Sequence, residues 1–198
     1  PTTAPEYVVF EGPGMDAFAE SPEWGCTFVV LPFMYYETYG DDSLIRKYYN
    51  GMRRYIDYMT TRANDGIVSF GLGDWYDYGD FRAGFSRNTP VPLVATAHYY
   101  MVVRYLVEAA RMLDNRYDVA YYTHLGEEIN KAFHREFYHK DTRQYGTGSQ
   151  CSNALPLFLG MVPAEDKQAV LDNLVADIKR HGNRLTTGDV GNLSLIHI

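Results

Sequence analysis

The run Phe28-Val29-Val30-Leu31-Pro32-Phe33-Met34-Tyr35-Tyr36 carries no charge, and the stretch that follows it, from 42 to 62, is written differently. There Leu44, Ile45, Tyr48, Tyr49, Met52, Tyr55, Ile56 and Met59 recur at helical spacing, with Arg46, Lys47, Arg53, Arg54 and Asp57 between them. The first pattern predicts a helix buried on every side, the second a helix with one apolar face and one solvated back. Ser21-Pro22-Glu23 supplies an N-cap, a proline at the first helical position and an acid in the first turn, so the first helix is expected from Ser21 to Tyr39. Gly40 ends it, and Pro32 is expected to kink it.

The alternation repeats. Thr89-Pro90 opens a third helix whose stretch from Leu93 to Val103 is uncharged, and a one-sided helix follows from about Arg116 to Tyr138. A short apolar helix is expected from about Ser149 to Leu159, then an amphipathic one from Pro163 to about His181, stopped by Gly182. Buried helix, then one-sided helix, three times over, predicts an all-α fold: a partial (α/α)6 barrel, or α/α toroid, of about three of six helical hairpins. An ordinary helical bundle is the alternative. Short links such as Gly40-Asp41 make each pair antiparallel, so the buried helices run the same way. The long links, from Ile67 to Asn88, from His139 to Gly148 and from Gly182 onward, then gather with the N-termini of the buried helices at one end. Long loops on a rigid scaffold are where function concentrates.

Composition narrows the function. The 198 residues, 46% hydrophobic, suffice for one domain with a core. A net charge of −7 excludes a phosphate-binding surface, so no nucleic-acid partner is expected. No apolar run reaches the length of a membrane span, and the N-terminus does not read as a signal peptide, leaving the compartment open. Cys26 and Cys151 have neither metal nor redox spacing and read as free, buried thiols. Metal-binding, nucleotide-binding and Gly-x-Ser-x-Gly motifs do not occur, and neither cofactor nor metal is expected. The chain has 18 Tyr and 2 Trp, a content suited both to helix packing and to sugar-lined clefts.

The richest loop reads Gly71-Leu72-Gly73-Asp74-Trp75-Tyr76-Asp77-Tyr78-Gly79-Asp80. Trp75 and Tyr76 offer faces for a sugar ring, and half-burying one such side chain contributes roughly 2 kcal/mol at about 25 cal/mol/Å². Asp74, Asp77 and Asp80 are acceptors suited to sugar hydroxyls. A structural loop with Trp75 as its anchor is the competing reading. Glu23-Trp24 is expected at the same end, although an acid in a first turn is also simply favourable there. Glu11, Asp16 and Glu20 lie just upstream, near the expected mouth. His98 reads as a core histidine.

Thr3-Ala4-Pro5-Glu6-Tyr7, Ser21-Pro22-Glu23-Trp24-Gly25, the stretch from Gly71 to Tyr78, Thr89-Pro90 with Leu93-Val94-Ala95-Thr96-Ala97, and Leu185-Thr186-Thr187-Gly188 occur in an order that resembles glycoside hydrolase family 78. The resemblance is to the six-hairpin catalytic domain of its α-L-rhamnosidases, and it covers nearly the whole chain. It implies an (α/α)6 barrel that hydrolyses terminal α-L-rhamnosides with inversion and without a cofactor, on rhamnose-containing oligosaccharides or glycosides. It also implies that Trp24, Trp75, Asp74, Glu23, Tyr76 and Thr187 meet the substrate. Cys26 stands where many members carry an acid, which puts a hydroxyl contact from that position in doubt. The family's general acid and base are expected outside the chain, so no catalytic residue is assigned within it, and its inner helices are expected to expose apolar sides to the rest of the barrel. Leu193-Ser194-Leu195-Ile196-His197-Ile198 departs from the preceding pattern and resembles one frame of a sequencing-library adaptor. Residues 1–192 are therefore read as a partial catalytic domain and 193–198 as a non-native tail. Two alternatives stand beside the rhamnosidase reading: another α/α-toroid carbohydrate hydrolase, and a non-enzymatic helical carbohydrate-binding or scaffold domain.

Overall fold

The computed structural model describes residues 20–198; the upstream motif at Thr3 and the acids Glu11 and Asp16 lie outside them. Among the described residues eight helices follow one another: α1 Pro22–Gly25, α2 Thr27–Tyr39, α3 Ser43–Arg62, α4 Val91–Met112, α5 Arg116–Phe137, α6 Gln150–Phe158, α7 Lys167–Arg180 and α8 Asp189–Ile196. Strands β1 Tyr138–His139 and β2 Gln144–Tyr145 form a small antiparallel hairpin after α5. The fold is an α/α toroid built of helical hairpins. Its first two hairpins close through Gly40–Asp42 and Leu113–Asn115, and the third through residues 159–166. Gly40 adopts φ +68°, the left-handed conformation that lets the Gly40 amide reach the Tyr36 carbonyl.

The first helix is not continuous. The Cys26 thiol takes the Glu23 carbonyl at 3.1 Å, and both Val29 N and Val30 N converge on the Cys26 carbonyl, so the hydrogen-bond register restarts there. Ser21 sits at the N-cap position, but its hydroxyl donates to Glu23 Oε2 at 2.5 Å instead of accepting a backbone amide. Nor is α2 buried all round. Only Val29, Pro32 and Phe33 are buried, while Phe28, Leu31, Met34, Tyr36 and Tyr39 are exposed. The helix packs on α3 and α4, and nothing among the described residues covers its other side.

The other two inner helices follow the expected pattern. In α4, 13 of 22 residues are buried, His98 among them with Nδ1 2.8 Å from the Val94 carbonyl; in α6, 8 of 9 are. The outer helix α3 buries one stripe, Ile45, Tyr49, Met52, Ile56 and Met59, at intervals of three and four residues. Two apolar cores result. One joins α2, α3, α4 and α5, and the other joins α4, α5, the hairpin, α6 and α7. Tyr100 and Met101 on α4 pack against both, so α4 is the wall shared by the two halves.

Buried polar ties fix the outer ring. Asp118 Oδ2 accepts from Tyr49 Oη at 2.7 Å and from Asn115 Nδ2 at 2.8 Å, with Arg53 Nε 3.4 Å away, which locks α3 to the start of α5. The hairpin, invisible in the helical pattern, seats the fully buried Tyr145, whose amide donates to Asn153 Oδ1 at 2.9 Å. Ile56→Ala, which hollows the first core, is expected to lower stability by about 2–5 kcal/mol. Lys47→Ala on the solvated back of the same helix is expected to change it by less than about 0.5 kcal/mol. Urea unfolding midpoints of the two variants make the comparison.

Candidate functional site

The N-termini of α1, α4, α6 and α8 come together at one end, and side chains stitch them to the long loops. Glu23 on α1 accepts the Gly73 amide through Oε1 at 2.8 Å, which carries the loop from Gly71 to Asp80 onto the first inner helix. Gly71 runs so close to this carboxylate, at φ +140°, that a Cβ there would lie 2.6 Å from Glu23 Oε1. Asp74, with no exposed surface, accepts the Gly188 amide at 2.8 Å and the Gly191 amide at 2.7 Å. These are N–H groups around the start of α8, where an anion is favoured. Asp77 Oδ2 accepts from Arg87 N at 2.8 Å and Asn88 N at 2.6 Å, folding the loop back on itself. Asn88 Nδ2 donates to the Tyr78 and Thr186 carbonyls, at 2.9 and 3.2 Å. The Thr89 and Ser149 hydroxyls are 2.8 Å apart, joining the entries to α4 and α6.

This stitching brings the two tryptophans to the same end of the toroid. Trp24 directly follows the Glu23 clasp and is 38% exposed; Trp75 follows Asp74 and is half-buried. Trp75 meets Phe85 edge-on at 5.2 Å between centroids and Tyr76 at 5.3 Å. Its carbonyl accepts the Asp189 amide at 2.8 Å. Tyr76 is half exposed and holds φ +64°, a left-handed conformation uncommon for an aromatic residue, pinned by its amide bond to the Gly84 carbonyl at 2.8 Å.

Three of the carboxylates, Glu23, Asp74 and Asp77, prove to be internal. The expectation that Asp74, Asp77 and Glu23 offer free oxygens to a sugar is not what the structure displays. Asp74 and Glu23 are buried with both oxygens engaged, and Asp77 is 1% exposed. Loops without secondary structure must satisfy their amides somehow, and acceptors from neighbouring loops do it here. Asp80 stays at the surface, and Glu20 binds Tyr58 and Arg62 on α3. Thr187 is 4% exposed and its hydroxyl has no partner among the described side chains and backbone groups.

Burial pushes the Asp74 carboxyl above its usual range, against the pull of the two glycine amides. Both cysteines are free and buried. Burial and the nearby Glu23 charge push the Cys26 thiol up to about 12, and burial together with Asp74 raises Cys151 as well. Sequence patterns gave no sign of the clamping role of Asp77 or of the knot formed by Tyr78, Asn88 and Thr186. The glycines were the available signal. A Cβ on Gly188 would lie 2.2 Å from the Trp75 carbonyl oxygen, so only glycine lets the two loops touch.

A family model described as the bacterial alpha-L-rhamnosidase 6 hairpin glycosidase domain matches residues 1–198. An α-L-rhamnosidase of Formosa agariphila is 29% identical over 180 residues, covering 86% of this chain and 18% of the relative. One from Streptomyces avermitilis is 28% identical over 177 residues, covering 88% and 16%. Among solved structures, α-L-rhamnosidase from Dictyoglumus thermophilum superposes with a TM-score of 0.84 at 30% identity, over 89% of this chain and 20% of that one. The Streptomyces avermitilis α-L-rhamnosidase complexed with L-rhamnose gives 0.79 at 27% identity, over 87% and 16%. The chain thus spans a fifth or less of the length of these relatives.

Asp74→Ala and Asp74→Asn are both expected to lose about 3 kcal/mol of stability, because an asparagine must turn its NH₂ toward one of the two amide donors. Gly188→Ala is expected to perturb the same loops by steric contact, visible as increased protease cleavage between residues 71 and 88. Iodoacetamide at pH 8 should label neither cysteine in the folded chain and both after unfolding, because the thiolate is the nucleophile; mass spectrometry counts the adducts.

Proposed function

We propose, on the premise that the chain belongs to the bacterial α-L-rhamnosidase six-hairpin glycosidase domain family, that it forms the substrate-binding rim of an enzyme releasing terminal α-L-rhamnose. The observation that carries this reading is the Glu23–Gly73 clasp, which sets Trp24 and Trp75 at a single end of the inner helices. Trp24, Trp75 and Tyr76 supply the ring surface, where a sugar's C–H face stacks on an aromatic side chain. Thr187 precedes Gly188, which touches the aromatic loop, and its buried hydroxyl has no partner among the described residues. Glu23 and Asp74 act by position: they hold the aromatic loop against α1 and α8, so the ring surface is fixed before substrate arrives.

Inversion at a glycosidic carbon needs an acid that protonates the leaving oxygen and a base that activates water, about 6.5–9.5 Å apart. Glu23 and Asp74 have their oxygens turned to backbone amides and a serine hydroxyl, which supports a positioning role for both and an acid and base elsewhere. We assign the acid and base to the remainder of the catalytic barrel, and the substrate class to rhamnose-containing oligosaccharides or glycosides. The chain by itself is then a binding half without turnover. The exposed apolar side of α2 fits this reading as the face toward the rest of the barrel.

Trp24→Ala combined with Trp75→Ala is expected to weaken L-rhamnose binding by roughly 30-fold, the equivalent of losing one half-buried aromatic contact. Calorimetric titration of the 198-residue chain reads this, and undiminished affinity in the double variant removes the aromatic platform. Hydrolysis of p-nitrophenyl α-L-rhamnopyranoside by the chain alone is expected at background, and turnover above it would place the acid and base within these residues.

A further inference from the structure

The outer helix α5 carries an aromatic pair that the rim does not use. Tyr117 and Tyr121 stand at i, i+4 spacing, which puts both side chains on one face of the helix. Their rings are parallel to within 6°, with centroids 6.5 Å apart, and they are 75% and 48% exposed. Tyr121 is braced from below. It meets the ring of the buried Tyr122 edge-on at 4.9 Å, and the Tyr122 hydroxyl lies 3.5 Å from Asp57 Oδ1 on α3. Asp57 is exposed and forms no ion pair among the described residues. The pair therefore has a fixed ring and a carboxylate acceptor at its border. It also lies far from the tryptophans. Helix α5 starts beside the C-terminus of α4, whose N-terminus is at the rim, and the 22 residues of α4 span about 33 Å.

The extent of the patch decides what occupies it. At these exposures the two rings offer about 250 Å² to solvent. Each partner of a stable protein interface buries about 800 Å². The patch does not run on into a larger apolar surface along α5, because Arg116, His124 and Glu128 are exposed around it. A second protein therefore finds too little here. Asp57 and Glu128 disfavour an anion, so the ligand is neutral. A pyranose strand meets both requirements: its C–H faces stack on tyrosine rings and its edge hydroxyls donate to a carboxylate. Because the two rings are parallel, successive sugars of one strand can turn the same face to both.

We propose that Tyr117 and Tyr121 form a second carbohydrate site, a surface platform for a neutral β-linked glucan strand, at the end of the toroid away from the rim. The all-equatorial rings of such a strand keep C–H bonds on both faces and hydroxyls at the edge. The platform tethers the protein to a polymer while the rim stays free. It goes beyond the rhamnosidase reading and does not depend on it. The test titrates the 198-residue chain with cellotetraose and follows the tyrosine ring resonances by NMR. Saturable shifts are expected at Tyr117 and Tyr121, with an affinity about tenfold or more above that for D-glucose, because a strand engages both rings. In the Tyr117→Ala/Tyr121→Ala variant this affinity is expected to fall about tenfold or more. The Tyr117→Phe/Tyr121→Phe variant is expected to stay within about threefold, because the ring face carries the contact. An unchanged amide spectrum shows that both variants are folded, and L-rhamnose binding should be the same in each. Undiminished cellotetraose affinity in the alanine variant, or no saturable shift at either ring in the unaltered chain, overturns the proposal. An equal loss in the phenylalanine variant overturns the stacking assignment, and tighter binding of maltotetraose overturns the β-linked one. Self-association in sedimentation that the alanine variant abolishes makes the patch a protein contact and also overturns it. Cellotetraose shifts without any L-rhamnose binding uphold this site and sink the rim reading alone.

Discussion

The Asp74 carboxylate, sealed from solvent between the Gly188 and Gly191 amides, is the contact on which the arrangement of the rim depends. A buried carboxylate is costly unless its lone pairs are filled, and here donors at the start of α8 fill them with no cationic side chain. The geometry has a corollary at the other partner. Because the carboxylate must reach two successive turns of backbone, the loop bearing it lies directly on Gly188, where no Cβ fits. Burial raises the proton affinity of the group while the amides lower it, and burial is the larger of the two effects. The aromatic loop is thereby held by its own neighbours at both ends, by Glu23 from α1 and by Asp74 toward α8.

Helix α4 performs the corresponding task for the apolar interior. It belongs to both cores, so the first and third hairpins are related through it and not by direct packing of α2 on α6. The unequal burial of the inner helices follows from their neighbours. The interior helices α4 and α6 have partners around most of their circumference, whereas among the described residues α2 has them on one side only. The apolar residues of α2 that face away, such as Leu31 and Met34, form a surface larger in character than a single exposed side chain.

Charge is distributed with the same economy. Glu23, Asp74 and Asp77 are turned to backbone amides and so hold the loops together, while Asp80 stays at the surface. Arg87 and Arg184 beside them are left facing solvent, and an acidic chain thus presents a locally basic groove next to its aromatic platform. Net charge describes solubility and long-range steering; which charged side chains are buried in internal contacts and which face solvent decides what a particular groove attracts.

The helical architecture was legible in the residues because burial leaves a period. The uncharged run from Leu93 to Val103 and the three-and-four spacing of Ile45, Tyr49, Met52 and Ile56 report the inner and outer positions directly. The family was legible from motifs in order, and the common end for Trp24 and Trp75 followed from antiparallel hairpins. Three features were not. The hairpin seating Tyr145 is too short to have a pattern, and the exposure of α2 depends on which neighbours surround it and not on its own composition. Above all, Asp74 and Asp77 in sequence are simply acids in an aromatic loop. Their assignment to backbone amides of Gly188, Gly191, Arg87 and Asn88 is a contact across as many as 117 positions, and a hydrogen bond of that span leaves no local trace. Local periodicity is set by each helix's own burial, whereas the partner of a loop carboxylate is set by where the whole chain returns, and only the tertiary structure decides that.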